Sequence, residues 1–147
     1  MASNAIPAST PSEPYPGQRL GLPAQGRGSL ATWQGRVTAL VVDWVASMLV
    51  ASGLFGTGVI SGDGWRAWMV MVVFFVESTV LSALAGGSFG QLVTKIGIAR
   101  LDGLPLGFVR AALRAALVCL VLPAVVVGQD RRGLHDTVVG TVVIKRR

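Results

Sequence analysis

Residues 37–60 read VTALVVDWVASMLVASGLFGTGVI, with Asp43 as their one charge. A run of more than about eighteen apolar or small residues reads as a membrane-spanning helix, because about 30 Å of hydrocarbon must be crossed at about 1.5 Å per residue. Trp33 stands just ahead of the run, where an interfacial aromatic belongs. Ser61-Gly62-Asp63-Gly64 follows as a tight polar turn. So short a connection forces the next helix to run back antiparallel. Residues 65–85 supply it, with Trp65 and Trp68 at its start, Arg66 free to snorkel and Glu77 inside.

Beyond the second span, residues 88–106 form a polar, basic loop. Within it 95–101 resembles a strand, Asp102-Gly103 is a hairpin signal, and Pro105 restricts the following arm to an edge. Residues 106–128 are a third apolar segment carrying Arg110 and Arg114, interrupted by Pro123. The Val-rich stretch 137–145 reads as a strand. An unpaired strand is not stable alone, and these two have no evident partner except each other. Pairing needs both on one side of the membrane. A third segment that enters and returns, broken near Pro123, satisfies this; three ordinary spans is the simpler alternative. The expected fold is an all-α membrane protein with two transmembrane helices, a third segment that is re-entrant or spanning, and a small cytoplasmic β element.

Residues 1–30 hold five of the seven prolines among Ser, Ala and Gly. They are expected to form a disordered cytoplasmic tail, ahead of a membrane domain at 31–147. Pro14-Tyr15-Pro16-Gly17 reads as a turn, with a docking peptide as the alternative. No signal peptide is visible in this stretch.

Hydrophobic residues make up 52% of the chain and charged ones 14%, against roughly 25% charged in a soluble domain. This excludes a disordered protein, a coiled coil and a nucleic-acid-binding domain. The net charge of +6 comes from bases that flank the apolar runs. Such bases stay on the cytoplasmic side and face anionic lipid. The N-terminus and the 88–106 loop are therefore placed inside, and the base-free 61–64 turn outside. The lone Cys119 makes no intrachain disulfide, and with the single His135 it makes no zinc site. No nucleophile–base arrangement is visible, so neither an enzyme nor a cofactor is expected.

Ionisable groups inside apolar runs carry the sharpest signal, since each costs about 2.5–3.5 kcal/mol at a helix centre. Arg36 and Asp43 lie two turns apart on one helix face, about 10 Å along the axis, too far for a relaxed ion pair. The small Ala39 lies between them. Asp43 needs a partner from elsewhere, and Arg110 and Arg114, spaced i,i+4, are the candidates. Glu77 could take one of them. A network of Asp43, Glu77, Arg110 and Arg114 would serve either as a polar path for an ion or proton, or as a buried lock on helix register. His135, beside Asp136, could titrate near neutral pH; the plainer reading has Asp136 anchoring the final strand. Gly90, in the Ser88-Phe89-Gly90-Gln91 turn, and Gly103 are secondary candidates. The Ser88 turn lacks the glycines and lysine of a P-loop.

GRVTALVVD (Arg36, Ala39, Asp43), SFGQLVTKIGIARLDG, FVRAALR and DRRGLHDTVVGTVVI occur in the order seen in RDD family membrane proteins, and the chain resembles that family from about 36 to 144. The family is named for one Arg and two Asp, and the resemblance assigns these to Arg36, Asp43 and Asp136. Ser88 stands where the family pattern has Thr, and Gln91 where it has Lys. The resemblance implies a bacterial inner-membrane protein active in transport, some members having been proposed as cation/proton antiporters. The Arg-over-Lys, Ala/Val/Gly-rich composition is that of a high-GC bacterium such as an actinomycete. Two or three spans are too few to enclose a pathway, so a homo-oligomer is expected. The alternative is an accessory subunit packed on another membrane protein, with Gly53, Gly56 and Gly58 permitting close approach.

Overall fold

The structure is a computed structural model and describes residues 14–120 and 132–147. Helix α1 spans Trp33–Phe55; Thr32 caps it, its Oγ1 accepting from Gly35 N at 3.1 Å. At 23 residues it is about 34 Å long, enough for the hydrocarbon core. Helix α2, Gly58–Ser61, and a 3-10 turn, Gly64–Trp68, reverse the chain into helix α3, Met69–Ala85. Trp33–Phe55 and Gly64–Ala85 are both long and apolar enough to cross a membrane.

The buried faces explain how the two helices pair. Helix α1 buries Ala39, Asp43, Ser47 and Ala51; helix α3 buries Val70, Phe74, Ser78 and Ser82. Each set recurs every fourth residue, and small or hydroxyl side chains dominate, so the backbones approach closely. The large apolar residues point outward, Leu49 and Leu84 each being 70% exposed. A water-soluble protein does not leave such continuous apolar faces open; a membrane protein turns them to lipid. At the end remote from the termini of this hairpin, Ala51, Val59 and Val70 pack with Phe55, Met69 and Val73. Phe55 meets Trp65 edge-on at 5.9 Å, and Trp44 stacks on Phe74 at 5.5 Å nearer the middle.

Everything else described gathers at the other end. Helix α4, Phe89–Val93, follows α3 directly and packs on α1. Strand β1, Ile96–Arg100, pairs antiparallel with β2, Thr141–Lys145, from Ile96↔Lys145 to Arg100↔Thr141. Helix α5, Phe108–Cys119, packs along α3 and buries Ala111, Arg114 and Ala115. Helix α6, Leu134–Val139, leads into β2.

Three local expectations are corrected. The segment ahead of α1 is ordered as far as it is described: Gly28 N donates to Lys145 O (2.8 Å), Lys145 N to Ser29 O (2.9 Å) and Ala31 N to Val143 O (2.9 Å). Buried Ser29, Leu30 and Ala31 thus extend the sheet beyond β2, and Gln18 N→Tyr15 O (3.1 Å) closes the Pro-Tyr-Pro-Gly turn. Asp102-Gly103 does not make a hairpin. The free edge of β2 is the better partner for β1, and the Asp102 carboxylate instead accepts from Leu104 N (3.2 Å) as the chain turns toward α5. The stretch read as one strand from 137 begins as α6. Gly140 (φ 72°) ends that helix, and only Thr141–Lys145 is extended. The break expected near Pro123 lies outside the described residues.

Candidate functional site: a charged cavity at one end of the helix pair

The site grows from α4. Its first backbone N–H groups have no partners within the helix, and three side chains take them. Ser88 N donates to Gln91 Oε1 (3.1 Å), Phe89 N to Glu77 Oε1 (2.6 Å) and Gly90 N to Asp43 Oδ1 (2.5 Å). Ser88 Oγ donates to the other Asp43 oxygen at 2.6 Å. Two acids from two membrane helices thus hold one short helix. Both Asp43 oxygens are satisfied by a hydroxyl and a backbone amide, and helix N-termini favour negative charge. Asp43 is buried at 3% exposure. Gly90 is required here: a Cβ would run into the Ala39 carbonyl of α1.

The second centre is Asp136, on α6 and wholly buried. Its Oδ1 accepts from Arg114 Nε (2.9 Å) and Thr141 Oγ1 (3.1 Å). Arg36 Nη1 lies 3.5 Å and His135 Nε2 3.4 Å from its Oδ2. Burial alone would raise the Asp136 carboxyl; the charges of Arg114, His135 and Arg36 outweigh it and hold the group below the usual carboxylate range. Arg132 braces the turn, donating to Thr141 O (3.0 Å) and Asp136 O (3.1 Å).

Arg36, Asp43, Arg114, His135 and Asp136 line one cavity of about 100 Å³, with Trp33 at its edge. The three residues assigned from the family resemblance, Arg36, Asp43 and Asp136, therefore line one cavity, in which Arg36 and Asp136 pair. The expected network of four is not joined by direct ion pairs, although Asp43 and Arg114 line the same cavity. Arg114 joins Asp136, Arg110 Nη1 donates to Val139 O (2.9 Å), and Glu77 turns to Phe89 N. The reason is reach. Helix α6 offers a carboxylate and open carbonyls beside α5, while α4 brings its N–H groups to the acids of α1 and α3. Asp136 does not merely anchor the last strand; it is the counter-ion of two guanidiniums. Gly103 (φ 74°) lies in an exposed turn away from the cluster. Among the described residues no group of His, Cys, Asp or Glu could hold a metal ion.

Sequence reasoning gave Ser88, Gln91, Arg132 and Thr141 no role. The Ser88-x-x-Gln91 spacing is that of a capping box, which the structure contains, and it was the signal for α4. No comparable signal marks Arg132 or Thr141.

Neither a curated protein nor a solved structure matches the chain. Residues 30–140, which include both acids of the cavity and the helices that carry its two guanidiniums, match the RDD family. Over most of its length, then, and across the segments that build the charged cavity, the chain belongs to the RDD family.

Proposed function

We propose that this protein is a multi-pass protein of the bacterial cytoplasmic membrane that moves an ion or small solute, as an oligomer, by way of the charged cavity. The N-terminus and the sheet lie on the cytoplasmic side. Charge supports that orientation: Arg27, Lys95, Arg100, Lys145, Arg146 and Arg147 all belong to the sheet or its flanks, whereas the opposite end carries Arg66 alone among the described bases. The reading is of a transporter and not an enzyme.

The observation that carries it is Asp43. A carboxylate within a membrane span is expensive and marks a pathway by default, and this one shares a cavity with a second acid and two guanidiniums. The test is flux through the full chain reconstituted in vesicles. Asp43→Asn is expected to abolish flux while insertion and oligomeric state remain those of the wild type. Undiminished flux would assign Asp43 to structure.

A second reading, a non-transporting subunit of a larger membrane complex, is favoured by one specific observation. Both Asp43 oxygens are already occupied by donors from α4 of the same chain. Purification in mild detergent separates the two: a stoichiometric foreign membrane protein supports the subunit, a pure homo-oligomer the transporter.

A further inference from the structure

The charged cavity stops partway along the helix pair. On α1 it runs from Trp33 to Asp43, about 15 Å of helix, and about 18 Å remain from Asp43 to Phe55. On α3 it reaches Ser78 and Phe74, with about 8 Å left from Phe74 to Met69. Past that point lies the apolar cluster of Ala51, Val59 and Val70, with Trp44 and Phe55 packed against it. The inner face of this plug carries the Phe74 ring. Phe74 lines the cavity, is 2% exposed and stacks on Trp44 with the planes 10° apart.

A polar group sits behind the ring. Ala51 and Val70 share one cluster, and the buried residues of both antiparallel helices recur every fourth position, so Ser47 lies level with Phe74. Phe74 lines the cavity and Ser47 does not. Ser47 is 2% exposed, and its hydroxyl has no hydrogen-bond partner among the described residues. An unpaired hydroxyl at that depth is costly, and the next buried position of α1, Ala51, avoids the cost. Water or an ion passing from Asp43 toward the α2 end would meet this hydroxyl next, one turn and about 6 Å further along α1.

We propose that the Phe74 ring, held by its stack on Trp44, is the gate that closes the cavity toward the α2 end of the helix pair, with Ser47 as the first polar group beyond it. The ring leaves its place by a change of side-chain rotamer and needs no movement of either helix. The purpose of the gate rests on the transport reading; the closure itself rests on the placement of Phe74, Trp44 and Ser47.

The test uses the full chain reconstituted in vesicles, with Cys119→Ala replacing the single cysteine and silver ion, a thiol reagent of ionic size, on both faces. Ser47→Cys is expected to react slowly beside Phe74 and about tenfold faster when combined with Phe74→Ala, the equivalent of about 1.4 kcal/mol off the barrier to entry. Ser78→Cys, within the cavity, should react fast with either residue at 74, and Ala51→Cys, within the plug, slowly with either. Proton leak under an imposed pH gradient, read with trapped pyranine, should rise with Phe74→Ala. Phe74→Leu, which keeps more of the volume, should give smaller rises of the same sign and keeps the test open if Phe74→Ala does not fold. The gate is overturned if Ser47→Cys reacts as fast as Ser78→Cys beside an intact Phe74, if neither substitution at 74 speeds it, if Ala51→Cys speeds up equally, or if the proton leak does not change. The transport reading fails separately, by undiminished flux in Asp43→Asn, which leaves the silver result standing.

Discussion

The two ends of the α1–α3 hairpin are closed by different physics. At the α2 end, Ala51, Val59, Val70 and Phe55 pack together, with Trp65 edge-on to Phe55; the polar contact there is local, Ser61 Oγ to Asp63 at 2.7 Å. At the other end, Asp43 of α1 and Glu77 of α3 meet on the α4 amides, and Asp136 joins Arg36 of α1 to Arg114 of α5. Packing of apolar side chains is forgiving, since neighbours can partly relax into a lost methyl group. A buried charge lattice is not, because removing one member strands the others. The apolar end should therefore tolerate substitution, and the ion pairs of Asp136 should not.

The largest expected effect is at Asp136. Asp136→Asn leaves Arg36 and Arg114 without their shared carboxylate, a loss of about 3–5 kcal/mol. Little folded protein should be recovered in detergent, and a wild-type unfolding midpoint for the variant would break the comparison. The same residue predicts an acid limb. Its folded pKa is lowered from an ordinary value of 3.8, so its contribution to stability is fully present above pH 3.8 and is lost as pH falls below it. Stability measured from pH 6 downward should decline there in the wild type. Gly90→Ala comes next: the added methyl meets the Ala39 carbonyl and must push α4 from α1, costing about 1–3 kcal/mol. A lowered thermal midpoint with weakened protection of the α4 amides from exchange would sharpen the case. The smallest effect belongs to the packed end, where the volume-conserving Met69→Leu should cost less than about 1.5 kcal/mol. A larger loss there than at Gly90 would reverse the ranking.

The sequence made some of this legible and hid the rest for definite reasons. The apolar runs around Asp43 and Glu77 announce two long helices because lipid imposes length and composition directly. The charges were recognisable as needing partners. Their identities were not, because spacing along a helix says which residues share a face but not which distant segment arrives there. Asp136 reaches Arg36 only through the turn at Gly140 and the register of β2, neither of which the local pattern encodes. The Thr137-Val138-Val139 run misled for a related reason. Its β-branched residues favour strand, yet Gly133 and Gly140 bound a helical turn that Arg110 and Arg132 brace through its carbonyls. Helix α4 was overlooked because five residues show no periodicity, although the spacing of Ser88 and Gln91 was readable.

The sheet also has a consequence for synthesis. Arg36 contacts the Val143 carbonyl across 107 residues of chain, and the strand bearing that carbonyl is translated after both spans. The acids of the spans meet α4 as soon as it is made, whereas the partners of Arg36 on α6 and β2 follow later. Arg36 therefore finds the Asp136 carboxylate and the Val143 carbonyl only after both membrane helices have been made.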